Sequence, residues 1–201
     1  MGKAKEVEAR IERLEQQLSV FQKISRLMVR DLSLADTLQA VVSLVTEFTR
    51  CDVCLIYLID NDELVLCASS NPQPVELGKV RLKLDEGLTG WVARERRMVA
   101  IPSEAYKDPR FKSFSDLPSD TFKAFLSVPV TAQNRVIGVI KVQHRQAHRH
   151  SGAEMELLTT VGEQVGCLLV LARMAPSAVE EANHVDLVIA ARPSPPPAAR
   201  S

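Results

Sequence analysis

Three groups of side chains in this 201-residue chain have the types and spacing to do chemistry. The first is Cys51-x-x-Cys54, with Cys67 nearby and Cys167 far along the chain. Such a pair can be half of a zinc site or a redox couple, but no second Cys-x-x-Cys accompanies it. A redox pair also wants a helix N-terminus, whereas a strand sends residues three apart to opposite faces. The surrounding run reads as strand, so these thiols are expected to be small buried side chains. The second group is His144, His148 and His150, interleaved with Arg145 and Arg149. Imidazoles on a loop can converge on a metal. With no acidic or Cys ligand adjacent and a helix starting at Ser151, the expectation is a basic, solvated strand-to-helix loop and no metal. The third group is Gly87, Gly90 and Trp91, followed by Tyr106, Arg110, Phe111 and Lys112. Glycines at a helix start can offer N–H groups to an anion, and Trp91 can wall a pocket or anchor a helix.

The elements that position these groups follow from periodicity. From Lys3 to Val29, the residues Val7, Ile11, Leu14, Leu18, Phe21 and Met28 recur at alternating steps of four and three. That 3.5-residue seam suits a short coiled coil. From Phe21 onward Ile24 and Leu27 widen the stripe, as if the helix then lay on the globular part. A second helix is expected from Ser33 or Asp36 to about Thr49, with Leu38, Val41, Val42, Val45 and Phe48 on one face. The period then drops to two. Asp52 to Asp60, the turn Asn61-Asp62 and Leu64 to Ser70 make a hairpin, and a strand follows near Lys79 to Leu84. A short helix at Asp85 to Arg96, a brief strand at Met98 to Pro102 and a long aromatic-bearing loop come next. A second hairpin turns at Gln133-Asn134, and Ser151 with Glu154 forms a capping box for a last helix to about Arg173. Hairpins mean an antiparallel sheet with amphipathic helices on one face, leaving the other face for the short helix and the loop. A sheet roofed in this way makes a pocket.

At this point Glu86 to Phe111 (EGLTGWVARERRMVAIPSEAYKDPRF) and Ala124 to Gln143 (AFLSVPVTAQNRVIGVIKVQ), followed by EMELLTTVGEQVG, carry a resemblance. Together they resemble the GAF domain family over about Leu32 to Arg173, closest in feel to bacterial modules joined to signalling or phosphotransfer enzymes. The resemblance implies an α+β fold: a central antiparallel sheet, N- and C-terminal helices on one face, and a loop and short-helix pocket on the other. It leaves the ligand open, since GAF domains host cyclic nucleotides, tetrapyrroles, small metabolites or only a dimer interface. The family's cyclic-nucleotide signature is not recognisable here. No cysteine lies between Leu84 and Phe125 to attach a bilin. The free methionine-sulfoxide reductases of this fold use cysteines around their pocket loops, where this chain has none.

The organisation expected is an N-terminal amphipathic helix (1–31), a GAF-like sensor domain (32–174) and a flexible Pro- and Ala-rich tail (175–201). The function expected is a non-catalytic sensory module that binds a small molecule or a signalling partner. Alternatives are an interaction domain with a degenerate pocket and, more remotely, a thiol-based reductase. Carried onto this chain, the fold places the pocket at Gly87, Leu88, Trp91, Ile101, Tyr106, Arg110, Phe111, Phe125 and Ser127. Arg110 and Lys112 make an anionic metabolite the first ligand to test; no cofactor is named. A homodimer is expected through Ile11, Leu14, Leu18 and Phe21, and through Gly162, Val165 and Leu169. Balanced charge, 25 basic against 25 acidic residues, argues against nucleic acid. No apolar run near the ~20 residues of a membrane span and no signal-peptide core are seen, so a cytoplasmic location with reduced cysteines is expected.

Overall fold

The computed structural model describes residues 2–30, 32–71, 77–111 and 122–174. The chain runs α1 (Gly2–Met28), α2 (Leu34–Thr49), β1 (Val53–Asp60), β2 (Glu63–Ser69), β3 (Arg81–Lys83) and α3 (Gly87–Glu95). It continues through β4 (Val99–Ile101), a 3-10 turn (Ala105–Lys107), β5 (Ala124–Ala132), β6 (Arg135–His144) and α4 (Gly152–Met174). The six strands form one sheet in the order β3-β2-β1-β6-β5-β4, every described pair antiparallel. This is the α+β architecture expected from the hairpins.

Local chemistry sets the boundaries. Ser33 caps α2, its hydroxyl accepting from the Asp36 amide at 3.1 Å. The β5–β6 turn has both central residues left-handed, Gln133 at φ 47° and Asn134 at φ 63°, the twist a tight hairpin needs. At α4, Ser151 Oγ accepts from the Glu154 amide (3.2 Å) while Glu154 Oε2 accepts from the Ser151 amide (2.7 Å). The capping box is thus reciprocal, satisfying two amides otherwise left over at the helix start.

The sheet is covered on both faces. Cys54, Ile56 and Leu58 of β1, Leu126, Val128 and Val130 of β5, and Ile140 and Val142 of β6 share a core with α2, α4 and the second half of α1. On the other face Leu55, Tyr57, Leu64, Leu66 and Val139 pack against Leu88 and Val92 of α3. The alternation explains why β1 is apolar at almost every position.

Two expectations change here. Gly162, Val165 and Leu169 do not form a dimer surface: all three are buried within this chain, against its own sheet. A Cβ on Gly162 would meet the Pro129 carbonyl oxygen at 2.9 Å, and one on Gly166 would collide with the Thr131 carbonyl. The glycines seat α4 on the backbone of β5, since that strand, rather than a partner helix, runs beneath them. In addition, residues 152–172 of α4 are long and apolar enough to cross a membrane by length and composition, so the chain does hold a run of that size. Its Leu157, Leu158, Val161, Val165 and Leu169 are packed into the helix-side core. The tail 175–201, and the part of the long loop that carries Lys112, lie outside the described residues.

Candidate functional site

Strand alternation selects the side chains on the α3 face of the sheet. Because Leu126, Val128, Ile140 and Val142 point to the helix-side core, Phe125, Ser127 and Lys141 point the other way. Ser127 and Lys141 are direct cross-strand partners, and Val99 of β4 lies beyond Ser127 in register. Lys141 is only 7% exposed. Among the described residues it has no ion pair or hydrogen bond; its Nζ stands 4.5 Å from the Phe125 ring centroid. Loss of water pushes the ammonium pKa down from its ordinary 10.5 to about 8. Ser127 Oγ is buried with no protein partner among the described residues. An unpaired buried hydroxyl costs about 1–3 kcal/mol. A buried cation beside such a hydroxyl, with an aromatic wall, can hold an anionic group.

Around this floor stand most of the residues expected in a pocket. Leu88 is buried on α3, and Gly87 opens that helix at φ 65°, a turn that glycine adopts without strain. Ile101 pairs with Phe125. Phe111 meets Phe125 edge-on with centroids 5.9 Å apart. The Arg110 guanidinium lies 4.6 Å over the Trp91 ring. Arg110 is not a free positive charge, however. Its Nε and Nη2 donate to the two carboxylate oxygens of Asp108 at 2.9 and 2.7 Å, holding that carboxyl below its ordinary pKa. Tyr106 does not join the group: it is 49% exposed, and its hydroxyl donates to Glu104 at 3.1 Å. The 3-10 turn buries Ala105 and turns the next side chain outward. Lys141 is the residue that sequence reasoning missed. Its signal was a lone charge inside the apolar run Val139-Ile140-Lys141-Val142, on a strand with both faces covered.

The cysteines lie elsewhere. Cys51, Cys54 and Cys67 are buried in the helix-side core, with the sheet between them and Lys141. Burial pushes the thiols of Cys51 and Cys54 up, away from the thiolate that redox chemistry needs. Cys167 is exposed on α4. A surface cleft of about 260 Å³ between α1 and α2, walled by Val20, Leu44 and Phe48, is also on the helix side.

The histidine cluster differs from a solvated loop. His144 and His150 are buried, and the rings of His144 and His148 stack at 4.0 Å between centroids. His150 stands 5.3 and 4.8 Å from the other two. The Nε2 atoms of His144 and His150 are buried with no protein partner among the described residues. Burial lowers the pKa of both, that of His150 to about 4. Glu154, already fixed by the capping box, meets His148 Nε2 at 2.8 Å.

On α1, Val7, Ile11, Leu14 and Leu18 are all more than half exposed, while Val20 and Ile24 are buried. Phe21 is half-buried against the domain's own core. Gln17 donates to the Ala153 carbonyl at 3.0 Å, where the helix meets the start of α4.

Comparison with known proteins agrees with this architecture. The family model for the GAF domain matches residues 33–169. A phosphoenolpyruvate-dependent phosphotransferase system protein of Escherichia coli is 29% identical over 120 residues, 59% of this chain. The matched segment is only 16% of that relative's length. The crystal structure of the GAF domain from an Acinetobacter phosphoenolpyruvate-protein phosphotransferase is 32% identical, with a TM-score of 0.70. That likeness covers 79% of this chain and 95% of the other. A free methionine-R-sulfoxide reductase from Neisseria meningitidis, solved with its substrate, has a TM-score of 0.67 at 17% identity, over 79% of this chain and 90% of its own. At that identity the likeness is one of fold alone.

Proposed function

Since the chain belongs to the GAF domain family, a family of regulatory and sensory modules, we propose that it is a non-catalytic sensor whose pocket takes a small anionic molecule. The observation that carries this reading is Lys141, a buried cation without a carboxylate partner among the described residues, directly across from the Ser127 hydroxyl, which likewise has none there. A carboxylate or phosphate placed there would restore the charge balance that burial removed and accept from both groups. Trp91, Phe111 and Phe125 would wall the pocket. Phe111 and Phe122, which bracket residues 112–121, both pack against the core of this face. The helices carry the output: ligand-dependent packing of β5 and β6 would reach α4, and through its contact with Gln17 would reach α1. The solvent-facing seam of α1 fits a homodimer. The kinship with phosphotransferase GAF domains suggests a signalling partner and a cytoplasmic setting.

The test is calorimetry and thermal shift of the whole chain against mono- and dicarboxylates and phosphate esters. Wild type should bind one class saturably, and Lys141→Met should lose that binding while remaining folded. Binding unchanged in Lys141→Met would refute the pocket assignment. The alternative of an interaction domain with a filled pocket draws on the Phe111–Phe125 contact, which closes part of the space near Lys141. It predicts no anion binding and an intact dimer. A thiol reductase finds no support in the positions of the cysteines, three of which lie behind the sheet.

A further inference from the structure

We propose that His144, His148 and His150 form a site for a divalent transition-metal ion of the Zn²⁺ class, where the end of β6, the following turn and the start of α4 meet. One ring nitrogen from each histidine lies within 4.8 Å of the others. Two candidate donors, the Nε2 atoms of His144 and His150, are buried without a protein partner among the described residues. A metal takes just such lone pairs. Glu154 orients His148: it contacts Nε2 at 2.8 Å and itself accepts from the Ser151 amide at 2.7 Å. A carboxylate behind a metal-binding imidazole is the usual orienting arrangement.

The donor set is three imidazoles with no thiolate, which suits zinc, nickel, copper or iron rather than calcium or magnesium. Bonds of about 2.0–2.1 Å place the donors of a tetrahedral ion about 3.3 Å apart. The His144–His148 stack must therefore splay, and the widest donor separation must close by about 1.5 Å. His148, the partly exposed ring on the turn, is the one with room to move. A fourth position would open toward the cleft of about 520 Å³ that His144, His148 and Glu154 line. An ion there would tie the N-terminus of α4 to β6.

The experiment titrates the untagged whole chain with Zn²⁺, and with Co²⁺ as a spectroscopic probe. Expected are one saturable ion per chain, the visible bands of tetrahedral Co²⁺ and a higher Tm with Zn²⁺. His148→Ala should weaken binding about 100-fold or more, and Glu154→Gln about 10- to 100-fold. Cys167→Ser should leave affinity unchanged. X-ray absorption of the zinc-loaded wild type, which needs no variant to fold, should show imidazole nitrogen scattering and no sulfur. Absence of saturable binding, a sulfur shell, or full affinity in His148→Ala would each overturn the site.

Discussion

A lysine inside a covered sheet is costly, and the cost has a sign that can be measured. Burial lowers the Lys141 pKa from 10.5 to about 8, so below pH 8 the folded chain carries a charge that the unfolded chain holds more comfortably in water. Between about pH 8 and 10.5 the unfolded state binds more protons than the folded state, and stability must rise with pH. Lys141→Met removes the penalty. It is expected to stabilise the fold by roughly 3 kcal/mol at neutral pH, the equivalent of the shift at 1.36 kcal/mol per unit. The gap between variant and wild type should shrink as pH climbs above 8, in denaturant titrations run at each pH. A flat gap would mean that Lys141 is not the group responsible. The same variant should abolish anion binding, a trade of function against stability. By contrast, Arg110 looked like the positive group of the pocket in sequence, yet Asp108 neutralises it. A pattern of residue types shows which charges exist, not which of them have partners.

At the scale of elements, α1 divides into two halves. Its second half docks through Val20 and Ile24, whereas Val7, Ile11, Leu14 and Leu18 remain open to solvent. Introducing Leu14→Glu together with Leu18→Glu should give monomers in light scattering with little change in the domain's Tm, because neither side chain contributes to its core. A dimer that survives both changes would place its interface elsewhere. On α4, Gly162 and Gly166 stand four residues apart, a spacing of small residues that lets another backbone come close. Only coordinates showed that the approaching backbone is Pro129 and Thr131 of β5. Gly166→Ala should therefore cost about 1–3 kcal/mol by overpacking, more than the gain of about 1 kcal/mol in helix propensity returns. The check is a chemical-denaturation midpoint, and an unchanged or higher midpoint would contradict the seating of α4. The hairpins, the capping box and the order of elements were legible because each rests on residues adjacent in sequence: Asn61, Asn134, Ser151 with Glu154. The destination of a face was not, because a small-residue stripe reads the same against a strand as against another helix.

For the whole molecule, the sheet separates two bodies of side chains: α1, α2 and α4 with Cys51, Cys54 and Cys67 behind it, and α3 with Lys141, Trp91, Phe111 and Phe125 in front. The proposed sensor would pass its signal through β5 and β6. Hydrogen exchange in the presence of a bound anion should show slower exchange in those strands and in the first turns of α4, with a change in α1 near Gln17. Protection confined to α3 and residues 99–111 would argue for a pocket uncoupled from the helices. The sequence by itself determined the α+β class, the two hairpins, the helix stripes and the kinship to GAF domains. Those depend on period, turn chemistry and short-range spacing, all carried by neighbouring residues. Only tertiary structure decided that Lys141 and Ser127 share one face without a partner among the described residues, that Arg110 is already paired, that Tyr106 faces water and that three histidines gather behind a helix cap. Pairing and burial are properties of distant segments brought together, and no local pattern encodes which distant segment will arrive.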